Sequence, residues 1–246
     1  MMRTSDIMQG ATCLGRGFQL IRDPEVRLYV ILPLLINIIL FGGLVWFGYQ
    51  QFSPIVESVM SYVPGFLEFL RWIIWIVITL LTAIVVFFIF TPIANVVAAP
   101  FNALLSEKIE IRLTGKAVSS GISFYAMIKM SVLSQLGKLL YIALWSLALL
   151  LISLIPVINL IAPLLWVIFG SWLLSLEYLD YPMGNHDLEF STQKRILAQR
   201  RGLALGYGGS VMILTSIPLI NFIVMPVAVA GATLLYVEQL EANTGA

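Results

Sequence analysis

Ile155-Pro156-Val157-Ile158-Asn159-Leu160-Ile161 and, 62 residues later, Ile217-Pro218-Leu219-Ile220-Asn221-Phe222-Ile223 set the same Pro-x-Ile-Asn signature inside long apolar segments. Proline has no amide hydrogen and collides with the preceding turn, so an apolar helix that meets Pro156 or Pro218 is expected to end or bend there. Asn159 and Asn221 suit the turn that follows. Uncharged arms of about 16 to 18 residues flank each signature, whereas a straight bilayer crossing takes roughly 20. Each signature therefore predicts a helical hairpin, 139–178 and 202–238, that dips into the membrane and returns. Complete crossings by all four arms are the alternative. Backbone exposed at such an apex finds no partner in lipid, which predicts cover from a second copy of the chain.

Composition sets the wider frame. With 60% apolar and 11% charged residues among 246 and a mean hydropathy of +0.97, the chain is too apolar for a soluble domain and reads as one all-α integral membrane domain, 1–246. The single cysteine, Cys13, excludes an internal disulfide and a thiolate cluster. The first 27 residues carry four arginines and no apolar core, so no removable signal peptide is expected.

In chain order, residues 1–22 read as a short amphipathic helix in the membrane interface. Asp23-Pro24-Glu25 is a helix start: a capping carboxylate, proline at the first position and an acid in the first turn. The first spanning helix, 24–49, follows. Residues 50–71 form a short helix and turn on the far side. The second spanning helix, 72–99, is longer than the hydrocarbon core, and Pro92 is the natural place for a bend. From residue 100 to 138, charges interleave with apolar residues as amphipathic cytoplasmic helices, one of them closed by Gly115. Gly202, Gly206, Gly208 and Gly209 open the second hairpin with a small-residue face. In this topology Arg71 is the only one of 14 Lys and Arg residues on the far side. The side holding both termini is then the cytoplasm.

No zinc motif, nucleophile elbow or P-loop is present, so neither enzymatic activity, nucleotide binding, nucleic-acid binding nor a cofactor is expected, and no residue is assigned as catalytic or metal-ligating. His186, in Asn185-His186-Asp187, suits either a turn-stabilising hydrogen bond or proton and metal chemistry. In Arg22-Asp23-Pro24-Glu25-Val26-Arg27, helix-start amides and nearby guanidinium groups suit a tetrahedral oxyanion. The competing reading is that Asp23 and Glu25 already satisfy that end while the arginines reach lipid phosphates. Glu107, Lys108, Glu110 and Arg112 are either ion-paired charges on an interfacial helix or the lining of a polar path for ions.

Several separate motifs carry a family likeness. Gly17-Phe18-Gln19-Leu20-Ile21-Arg22 leading to Arg27, Val30-Ile31-Leu32-Pro33-Leu34-Leu35-Ile36-Asn37, Ala99-Pro100-Phe101-Asn102-Ala103-Leu104-Leu105-Ser106-Glu107-Lys108, Asp180-Tyr181-Pro182-Met183 with Asn185-His186, and Arg200-Arg201-Gly202 together resemble the bacterial CysZ-type sulfate permeases, from about residue 10 to 238. The resemblance implies a bacterial inner-membrane protein that admits sulfate for cysteine synthesis. It also implies two long spanning helices, hemi-penetrating helix pairs and a homo-oligomer among membrane lipids. The family's anion site is a Gly-Leu-Arg at the start of the first long helix, and Glu25, Val26 and Arg27 occupy the matching positions. Glutamate in place of glycine should repel a dianion and hinder close backbone approach. Where the family often has a second arginine this chain has Leu28, and Arg22 is the charge that could stand in for it.

The expected function is thus channel-like or facilitated sulfate uptake. Sulfate would be gathered by Val26 and Arg27 with Glu25 and Arg22 alongside, then passed along Asn37, Asn95, Asn102, Glu107, Lys108 and Arg112, whose donors would replace its water. A membrane-shaping scaffold without solute flux is the rival from another class.

Overall fold

The computed structural model of the protein describes residues 4–116 and 124–241, and the side chains of 66–68, 91–92, 95–96, 124–133 and 218–222 lie outside that description. Eight α-helices make up most of the described chain: α1 (Thr4–Leu20), α2 (Pro24–Met60), α3 (Arg71–Thr114), α4 (Phe124–Ser153), α5 (Ala162–Asn185), α6 (Phe190–Gln199), α7 (Arg201–Thr215) and α8 (Pro218–Leu235). Short 3-10 segments stand at Gly65–Leu70 and Ile158–Leu160, and a π-turn, Tyr236–Leu240, extends α8. Among the described residues there is no strand.

Two helices outrun their expected bounds. The 37 residues of α2 include Pro33 and Pro54, and the 44 of α3 run through Pro92 and Pro100. The change of element expected at Pro100 is absent, and so is a break before Leu139, because α4 runs unbroken from Phe124 to Ser153. A proline removes one hydrogen bond from a helix, whereas ending the helix in an apolar medium would orphan several backbone groups, so continuation costs less. Among the described residues five segments are long and apolar enough to cross a membrane: Pro24–Met60, Arg71–Phe90, Ser134–Ser153, Ala162–Asn185 and Ile223–Leu240. The 15 residues of α7 span roughly 22 Å, short of a bilayer core of about 30 Å.

The chain divides into two compact units, residues 31–101 and residues 1–30 with 102–246. In the first, α2 and α3 pair antiparallel. Phe41 meets Phe90 edge-to-face at 5.0 Å, Gly48 faces Thr82 and Val86, and Phe52 meets Trp75 at 4.6 Å. Their outer faces, including Ile38, Ile39, Trp46, Leu80, Phe87 and Phe88, are exposed apolar surface, as a lipid-facing pair requires.

The second unit is built on α8. Val224, Val227, Ala228, Val229, Ala230, Ala232, Leu234 and Leu235 are all buried, sheltered by α1, α5 and α7. Two of the four glycines read from the sequence, Gly206 and Gly208, give α7 its close packing. A Cβ at Gly206 would run into the Ile7 carbonyl of α1, and one at Gly208 into the Ser171 carbonyl of α5. Here α1 is a packed element: its buried Gly10, Cys13, Leu14 and Gly17 face α7 and α8. Arg16 anchors it further with a two-pronged pair to Glu238 at 2.6 and 2.7 Å.

The two signatures resolve differently. α4 ends at Ser153, and Pro156 and Asn159 both lie in the turn before α5, as expected. Pro218 instead opens α8, which puts Asn221 inside the helix rather than in a turn. At the first apex the amides of Leu154 and Ile155 bond to the Leu151 and Ile152 carbonyls at the end of α4, and those of Asn159 and Ile161 to the Ile155 and Ile158 carbonyls of the turn, at 2.8–3.2 Å. Those groups need no cover from a second chain. The tip around them is apolar and open: Val157 is 79% and Leu160 85% exposed.

Candidate functional site

The start of α2 is capped as the sequence suggests. Asp23 Oδ1 accepts the Glu25 amide at 3.0 Å, while the amides of Val26 and Arg27 donate to the Asp23 carbonyl at 3.1 and 2.9 Å. Pro24 has no amide to offer, so all the donors of this first turn are satisfied from within the chain. The second oxygen of Asp23, Oδ2, is paired with Arg112 Nη2 from the end of α3. Arg112 also reaches Glu25 Oε2 with Nη1 at 3.5 Å.

The remaining site residues sort by exposure. Val26 is buried, whereas Arg22, Glu25 and Arg27 are exposed. The Arg22 guanidinium stacks 4.4 Å over the Phe18 ring. Among the described residues no acidic side chain pairs with Arg27. Lys108 is exposed one turn before Arg112 on the same face of α3. Arg22, Arg27 and, through its ion pairs, Arg112 thus outnumber Asp23 and Glu25 at this helix start, and the surplus is positive.

The other face of α3 carries a buried polar ladder at helical spacing. Asn102 Nδ2 donates to the Tyr181 hydroxyl at 3.3 Å, Ser106 Oγ lies 2.8 Å from Thr233 Oγ1, and Glu110 Oε1 lies 2.5 Å from His186 Nε2. Asn185 Nδ2 adds a bond to the Ala103 carbonyl at 3.0 Å. Glu110 is 3% exposed, and its other oxygen, Oε2, is buried without a hydrogen-bond partner. His186 caps the end of α5 and stacks against Tyr236 with ring centres 5.2 Å apart. The hydrogen bond to Glu110 raises the histidine's pKa above its ordinary value, against the lowering effect of burial.

Of the expected route, Asn102 is in this ladder, Glu107 is half-buried and Lys108 and Arg112 are exposed. Asn37 belongs to the other compact unit, where its Oδ1 is buried and unbonded. Asn95 lies in α3 with its side chain outside the description. What sequence reasoning missed is the partner of His186. The signal was the i, i+4, i+8 spacing of Asn102, Ser106 and Glu110, which sets the glutamate on a face committed to the interior.

Long lipid-facing helices and a helical core with a polar seam define an all-α multi-pass membrane protein. The chain belongs to the family described as Sulfate transporter CysZ/Etoposide-induced protein 2.4, whose model matches residues 13–226. It is similar to proteins named Sulfate transporter CysZ from Pseudomonas aeruginosa, at 40% identity over 94% of this chain and 96% of the relative. Those of Pseudomonas fluorescens and Vibrio parahaemolyticus are 45% identical over 95% of both chains and 39% identical over 92% of both.

Proposed function

We propose that this protein carries sulfate across the bacterial inner membrane by a channel-like or facilitated route, supplying sulfate reduction and cysteine synthesis. The observation that supports this most is full-length similarity to proteins named sulfate transporters, joined to a helix start where cations are in surplus. Sulfate binds in this reading at the first turn of α2, held by Arg27 and by Arg112 once Asp23 gives way. A dianion that displaces the Asp23 carboxylate inherits the Glu25 amide and the Arg112 guanidinium, donors suited to an oxyanion. Arg22 and Lys108 raise the local potential that draws the anion in. The hairpins 139–178 and 202–238 penetrate without crossing, which fits the exposed apolar tip at Val157 and Leu160 and its self-satisfied backbone. Assembly of several copies around the route completes the proposal.

Uptake of radiolabelled sulfate into proteoliposomes tests it. Flux above empty vesicles, lost in Arg27→Ala, is expected; no protein-dependent flux rejects the function, and full flux in Arg27→Ala rejects the site.

A further inference from the structure

The last turn of α3 is held from two sides. Glu110 points into the core toward His186, and Arg112, two residues on and so about 200° around the helix, points out to Asp23 and Glu25. A carboxylate only 3% exposed with one oxygen unbonded is a costly thing to keep beside a histidine where an apolar pair would pack as well. We infer that the Glu110–His186 pair is a positioning element for the anion site, fixing Arg112 at the start of α2 and adjusting through its net charge how strongly that site holds an oxyanion. The inference rests on the sulfate site proposed above.

The electrostatics follow from the groups that face His186: Glu110 from α3, Tyr236 from the π-turn after α8, its neighbour Asp187, and Glu241 from the segment beyond. Of these, the first, third and fourth are acidic and favour a protonated imidazole. When His186 is protonated the pair is neutral and the turn is clamped by a full ion pair. When it is neutral, the pair carries one negative charge behind Arg112 and the clamp weakens to a hydrogen bond. Both changes act against an anion, so affinity falls as pH rises. Sulfate itself stays doubly charged across neutral pH, which leaves the protein as the source of any change.

The test is equilibrium binding of radiolabelled sulfate to the purified full-length protein between pH 6 and 9, with His186→Gln and Glu110→Gln. Wild-type affinity should fall about three- to tenfold across the range, the scale of one unit charge acting over roughly 10 Å of mixed medium. His186→Gln should be weak and flat with pH, since its pair is fixed at one negative charge. Glu110→Gln should keep a pH response but with its midpoint moved to lower pH. A purely structural role would instead weaken both variants by a constant factor and leave the profile unmoved, which overturns the inference. So does a flat wild-type profile. Binding that is absent in the wild type at every pH removes the sulfate site itself. Binding that is present, lost in Arg27→Ala and identical in profile across the wild type and the two pair variants removes only the role given to Glu110 and His186.

Discussion

Arg112 holds the carboxylate of Asp23 across two helices, and the other oxygen of that carboxylate caps the Glu25 amide. One side chain therefore occupies both kinds of donor that an incoming oxyanion needs. Asp23 and the substrate compete. Asp23→Asn keeps the capping oxygen while dropping the charge, so sulfate binding should tighten about threefold to tenfold, in line with the modest strength of partly exposed ion pairs. Radiolabelled sulfate binding reads this directly, and an unchanged or weaker affinity would show that the two do not share partners.

The glycine contacts of α7 make a stability prediction. A side chain at Gly206 or Gly208 must force α7 away from α1 or α5, since backbone carbonyls stand where the Cβ would go. Gly206→Val and Gly208→Val should each destabilise by about 3 kcal/mol or more, or fail to fold. Gly15 has open space around it, and Gly15→Ala should stabilise α1 by up to ~1 kcal/mol through helix propensity. Thermal unfolding in detergent, followed by tryptophan fluorescence, separates these outcomes; equal melting points for Gly206→Val and wild type would contradict the packing.

His186 also makes stability depend on pH. Its folded pKa lies above 6.5 because of the hydrogen bond to Glu110, so the pair stabilises fully below about pH 6.5 and loses that contribution as pH rises through the raised value. The melting temperature should decline above neutrality in the wild type and decline less in His186→Gln. A steeper decline in the variant would reverse the sign and refute the pairing.

The topology can be read with single cysteines. Native Cys13 is buried, and burial, helped by Glu238, pushes its thiol up to about 11, so it should stay silent toward a membrane-impermeant maleimide at pH 7.5. Against that background Leu160→Cys should react from neither face of sealed vesicles if the tip lies in lipid. Labelling from the face opposite the termini would establish a complete crossing by α4 and α5.

Several of these features could be read before any coordinates. The helix start at Asp23-Pro24, the left-handed close at Gly115 (φ +71°), the turn at Pro156 and the small-residue face of α7 are local chemistry, written within a few adjacent residues. Tertiary context decides the rest. Pro92 suits a bend and Pro100 a change of element, yet α3 runs uninterrupted through both. Pro218 and Asn221 match Pro156 and Asn159 residue for residue, but the neighbouring chain makes one a helix start and the other a turn. The Glu110–His186 contact joins residues 76 apart in sequence. Nothing in either segment alone names the other. The pairing of Arg112 with Asp23, which lie 89 residues apart, is hidden for the same reason.

The central claim is that an oxyanion sits at the first turn of α2 between Arg27 and Arg112. Anomalous diffraction from crystals soaked in selenate tests it most directly. The account predicts a selenium peak within hydrogen-bonding reach of both guanidinium groups, with Asp23 turned away. Peaks confined to other parts of the protein, with the Asp23–Arg112 pair intact while sulfate flux persists, would contradict it.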